Sequence, residues 1–190
     1  MFNLMTGGVF AAAMISMAGS GMAKTVSSPV LTGNVSCSIT DLAFSTDCQG
    51  AYAGNDSNQD LDGFFGINGW AEIAKVDGSS GTDGILTVQE FDEDTIGEWS
   101  VTSFAGYDNV MAVLKGGPSF SAYLLDTSFT LGSWSTAGIE KGNGKPGPGL
   151  SHFTLYATDG NGPSTVPLPA AGLLLAGALG GLGIARRKRG

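Results

Sequence analysis

One histidine, two cysteines and a run of alternating oxygen-bearing side chains are the chemistry that this 190-residue chain displays. Any Ser/His/Asp triad would have to use His152, and an imidazole metal cluster lacks its second histidine. No GxSxG nucleophile elbow occurs, and the glycine-rich stretches lack the lysine and the strand-to-helix context of a phosphate loop. A carboxylate pair of the glycosidase kind stays open among 17 Asp and Glu, but their spacing singles out no pair. No catalytic residue is expected, then, and His152 reads as a hydrogen-bonded surface side chain. Cys37 and Cys48 are close in sequence, and in an oxidising compartment such a pair forms a disulfide. The loop it closes has 12 residues, worth about 3 kcal/mol in the chain-entropy account. Free thiols are the lesser alternative, and two sulfurs without a nearby histidine make a poor metal site.

Calcium is the one cofactor the pattern suggests. Asp56, Asn58, Asp60 and Asp62 stand at alternate positions, and a tight loop can turn such oxygens toward one hard cation. The EF-hand pattern fails, because the twelfth residue counted from Asp56 is Ile67 and counted from Asn58 is Gly69, where a glutamate is needed. A calcium loop of another kind competes with an ordinary solvated turn. The cluster Asp92 to Asp94 reads as a turn.

The elements that must position these groups are strands. Segments rich in Val, Ile, Phe, Tyr, Trp and Thr, at roughly 66–76, 84–91, 97–104, 109–115, 119–126 and 150–158, are separated by turn clusters such as Asp77 to Gly84 and Gly142 to Gly149. No helical period appears between them, so the fold class is all-β, one β-sandwich of jelly-roll or immunoglobulin-like type. Asn109 to Leu114 is apolar on both faces and predicts a central strand. In Ser151 to Thr158, the alternation predicts Phe153, Leu155 and Ala157 inward and His152, Thr154 and Tyr156 outward. Trp70, Trp99 and Trp134 are predicted in the core or at its rim.

Both ends of the chain differ from this body. Residues 1–23 hold an apolar centre, Val9 to Met17, and a small-x-small site at Gly21, Met22 and Ala23, as a secretory signal peptide does. Lysine and arginine are missing from its leading region, and a first membrane helix is the alternative. The last 25 residues read Val166, Pro167, Leu168, Pro169, Ala170, then an apolar run over 170–185, then Arg186, Arg187, Lys188 and Arg189. As a helix the run is about 24 Å long, short of the roughly 30 Å of a hydrocarbon core, and its glycines suit transient tethering better than permanent anchorage. The cations form a stop on the cytoplasmic side.

Pentapeptide, apolar run and basic end together resemble the VPLPA-CTERM sorting signal, a variant of the PEP-CTERM signals of Gram-negative bacteria. Leu168 to Gly172 also approaches the LPXTG signal of Gram-positive sortases, but alanine stands where threonine belongs. The first resemblance implies an exosortase as partner, removal of the tail near Val166 to Ala170, and passage of the body to the cell surface or an exopolysaccharide matrix. Within the body, Cys48-Gln-Gly50, Gly54-Asn55-Asp56, Gly97-Glu-Trp99-Ser100, Val113-Leu-Lys115, Phe120 to Leu124 and Leu150-Ser-His152-Phe153 follow in an order similar to that of domains found ahead of such signals. That similarity implies a shared β fold and no catalytic residues.

The organisation expected is therefore a signal peptide at 1–23, a secreted domain at 24–165 and a sorting signal at 166–190. Signal peptidase and the secretion machinery are expected to handle the first, and the membrane to hold 170–185 before release to the surface. The four tail cations set aside, five basic residues face 17 acids in the body, a formal charge of minus 12. Such a surface repels nucleic acid. An exported, non-enzymatic surface or matrix protein is the leading functional class, and a glycan-binding module, with calcium or without it, is the alternative.

Overall fold

The computed structural model describes residues 27–159, so the expected signal peptide, sorting motif, membrane segment and basic stop lie outside the described residues. Nine strands follow in order: β1 (Ser45–Ala53), β2 (Ala71–Asp77), β3 (Gly81–Asp83), β4 (Leu86–Asp92), β5 (Ile96–Val101), β6 (Tyr107–Gly116), β7 (Ser119–Leu125), β8 (Leu131–Ser135) and β9 (Leu150–Asp159). Short 3-10 turns at Ile39–Asp41, Asp56–Asn58 and Phe64–Gly66 are the only helical pieces among the described residues. The strands form two antiparallel sheets, ordered β1-β7-β6-β9-β2 and β3-β4-β5-β8.

An apolar core lies between the sheets, as in an all-β sandwich. Val110, Ala112 and Leu114 of β6 and Phe153, Leu155 and Ala157 of β9 meet Leu86 and Val88 of β4, Trp99 of β5 and Trp134 of β8. Burying side chains of this size from two facing sheets is the main apolar gain of the fold. Strand β6 occupies the middle of the five-stranded sheet, as its two apolar faces predict. Its hairpin to β7 turns at Gly117 and Pro118, and Gly117 takes φ 54°, the conformation that glycine adopts without strain at a two-residue hairpin turn. Six strands coincide with segments expected from the sequence, with ends shifted by a few residues. The other three, β1, β3 and β8, are rich in Ser, Thr, Asp and Gly and carry little strand signal.

The expected outward face of β9 is corrected. His152, Thr154 and Tyr156 do point away from Phe153 and Leu155, but they are buried too. The connection from β1 to β2, residues 54–70, folds back over this face. There Leu61 and Phe64 pack with Met111, Val113, Phe120, Ala122 and Tyr156 into a second apolar cluster. The five-stranded sheet is thus covered on both faces, one by a sheet and one by a loop. Trp99 and Trp134 are core residues as expected, and Trp70 is half-buried beside the second cluster.

Local chain covers the sheet borders. Along β1, Ala53 N donates to Val30 O at 2.8 Å and Thr32 N to Ala51 O at 2.9 Å. Along β8, Ala43 N donates to Ser133 O at 2.9 Å, beside a bridge between Leu42 and Trp134. On β2, the Lys75 N–H is taken by the Asp83 carboxylate at 2.8 Å.

Candidate functional site

The loop over the sheet is held by a buried carboxylate. Asn55 caps the turn Asp56–Asn58, its side chain accepting from Ser57 N at 3.3 Å, and this sets Asp56 facing the sheet. His152 and Tyr156 reach it from β9, where a spacing of four along a strand puts both on the same face. His152 Nε2 lies 2.7 Å from Asp56 Oδ1, and Tyr156 Oη donates to Oδ2 at 2.8 Å. Lys115 stands opposite His152 in the β6–β9 register, and its Nζ donates to Gly117 O. All four residues are buried, with Asp56 only 1% exposed.

Burial raises the Asp56 carboxyl, but the hydrogen bond and charge of His152, with the Tyr156 hydroxyl, outweigh it and hold the group below the ordinary aspartate value. Burial, then the Asp56 charge, push the Tyr156 hydroxyl up. Lys115 is pulled down by burial, against an opposing pull from Asp56. The result is a carboxylate that stays ionised inside the protein and satisfies two donors nearly 100 residues away in sequence. Its role in the fold is that of a clasp between the loop and β9.

The four residues singled out for calcium are not equivalent. Asp56 belongs to the clasp. Asn58 closes the 3-10 turn, and its carbonyl accepts from Ser27 N at 3.3 Å. Asp60 Oδ1 accepts from Asp62 N at 3.1 Å, and Asp62 Oδ1 from Gly69 N at 2.7 Å, so the alternation supplies hydrogen bonds within the loop itself. Among the described residues no three His, Cys, Asp or Glu side chains gather as a metal site requires. The expected disulfide is present, Cys37 to Cys48 with Cα atoms 6.1 Å apart, packed on the main core and fastening the chain ahead of β1.

Two adjoining clefts open beside the clasp. The larger, about 400 Å³, is lined by Trp70, Tyr156, Glu72 and Gln59 together with Asp56, Asp60 and Asp62. The smaller, about 280 Å³, is lined by Tyr52, Phe64, Gln49 and Pro29, and Asp60 and Asp62 wall it as well. Sequence reasoning did not find them, because Glu72 and Trp70 join Asp60 and Asp62 only once the loop has folded back. Tyr156 was the available signal: an aromatic at the end of a half-polar face is where a covering segment can seat. Comparison with protein-family models, curated proteins and solved structures finds no match for the chain.

Proposed function

We propose that the protein is an exported, non-enzymatic surface or matrix component, sorted by an exosortase through Val166 to Ala170 and tethered for a time by residues 170–185. The observation that carries this reading is the order of the last 25 residues: a proline-bearing pentapeptide, an apolar run and the stop Arg186 to Arg189. The Cys37–Cys48 disulfide supports it, since such bonds persist in oxidising compartments. Among the described residues no helix is long and apolar enough to cross a membrane.

The deciding experiment expresses the full chain and a version ending at Thr165 in an exosortase-bearing host, then follows location and intact mass. The full chain is expected to lose its tail and become surface-associated, and the truncated one to be released or left in the periplasm. An identical fate for the two removes the basis of the sorting reading. Glycan binding is the second reading, and the aromatic rings and carboxylates of the two clefts favour it.

A further inference from the structure

We propose that the end of the sandwich bearing Phe44 and Phe129 rests on the bilayer that holds residues 170–185, an inference that deepens the sorting reading and rests on its tether. Four large apolar side chains lie open there: Ile39 at 51%, Phe44 at 41%, Phe129 at 42% and Leu131 at 65% exposure. They adjoin one another. The Phe44 and Phe129 rings stack with centroids 3.9 Å apart, and Ser45 Oγ donates to Ile39 O at 3.0 Å. Leu131 begins β8, along which Ala43 N donates to Ser133 O at 2.9 Å and so lays the Phe44 segment beside it. Phe44 also holds φ 65°, a conformation that asparagine or glycine takes more easily than an aromatic residue. A ring half in water at a strained backbone position is poorly explained by packing alone.

Where the chain leaves the domain names the occupant. Ser45 at the start of β1 lies opposite Leu125 at the end of β7, and the register runs on from Leu124 to Met111 of β6 and Tyr156 of β9. The patch therefore shares its end of the sandwich with the last residues of β9, which finishes at Asp159. In the sheet, β9 is three strands from β1, about 14 Å across. Residues 160–169 then lead to the apolar run, and such a segment reaches at most about 35 Å when fully extended. A tethered body is held with this end toward lipid, where a weak apolar contact acts at high effective concentration. The patch offers on the order of a few hundred Å², a size often functional on a monomer but short of the roughly 800 Å² per partner of a stable dimer. Asp126, whose N–H donates to Phe44 O at 2.9 Å, would also meet its own copy in a twofold pair. The same acid and the acidic body favour zwitterionic over anionic headgroups. At the opposite end, Phe91 and Ile96 stand beside Glu90 and Asp92, a poor surface for lipid.

The test places the full chain, its disulfide closed, in phosphatidylcholine vesicles containing lipid that carries a nitroxide near the headgroup. A fluorophore is attached at Ser128→Cys, beside the patch, or at Lys145→Cys, in the 142–149 segment that packs near the far end of β6. The label at 128 is expected to be quenched about threefold more strongly, because interfacial contact brings it within about 10 Å of the headgroup boundary. Phe44→Asn with Phe129→Ser, and Leu131→Ser alone, are each expected to cut that contrast by about half or more. Phosphatidylglycerol vesicles at low salt should reduce it as well. Near-ultraviolet circular dichroism in detergent identifies variants that keep the native fold, and only those are compared. A chain in which 170–185 is replaced by about 20 leucines and alanines should show the same contrast. Equal quenching at both positions in that chain overturns the proposal, as does an undiminished contrast in the folded variants. A contrast that disappears as the protein is diluted with lipid assigns the patch to a second copy and overturns it too. Failure of the native tail alone to enter the vesicles counts against the sorting reading, while the leucine-anchored chain still decides the patch.

Discussion

Removing the Asp56 carboxylate should release the loop that covers the five-stranded sheet. In Asp56→Ala, His152 Nε2 and Tyr156 Oη, now 2.7 and 2.8 Å from the carboxylate, both lose their partner, and buried Lys115 loses a compensating charge. Each orphaned buried donor costs roughly 1–3 kcal/mol, so with two of them a loss of about 4 kcal/mol is expected. Asp56→Asn keeps the size and one acceptor and should lose less. Urea denaturation of the oxidised body, followed by tryptophan fluorescence, measures both. The dependence on pH has a definite sign. Asp56 titrates below its unfolded value of 3.8, so its contribution is fully present above that value and disappears as pH falls through the lower folded one. The stability gap between wild type and Asp56→Asn should therefore narrow on acidification below 3.8. A loss under about 1 kcal/mol in Asp56→Ala, the least expected for even one orphaned donor, would refute the clasp, as would a gap that ignores acid.

Three further outcomes are expected. Phe64→Ala should cost about 3–5 kcal/mol and raise hydrogen exchange in residues 54–70 before the strands of the main core, as read by mass spectrometry. Gly97→Ala should destabilise by roughly 1–3 kcal/mol or more, because its methyl would sit 2.0 Å from Gln89 O and 2.7 Å from the Trp134 ring; a chemical denaturation midpoint reports it. Replacing Cys37 and Cys48 by serine should cost about 3 kcal/mol, visible as a lower melting temperature that reductant no longer shifts.

What the sequence made legible was whatever depended on nearby residues. The Cys37–Cys48 bond was legible from the spacing of the two cysteines, and β6 from an apolar run on both faces. His152, Thr154 and Tyr156 defeat that reasoning, because alternation reports polarity and not what arrives from elsewhere in the chain. Tyr156 is buried because Leu61 and Phe64 come back to it, and His152 because a carboxylate 96 positions earlier neutralises its polarity. Asp60 and Asp62 show a different ambiguity. Side chains that bond their own loop look, in one dimension, like ligands awaiting an ion. Strands β1 and β8 were invisible because their pairing comes from neighbours and not from apolar content.

The covered borders have a consequence wherever copies of the protein crowd together. Strand β1 is flanked by residues 30–35, β8 by Leu42 and Ala43, and β3 is three residues long. A second molecule arriving there finds few bare amides to copy, so stacking into fibrils through the backbone is blocked at these rims. Copies of this protein packed side by side would have to grip one another, or whatever surrounds them, with side chains alone.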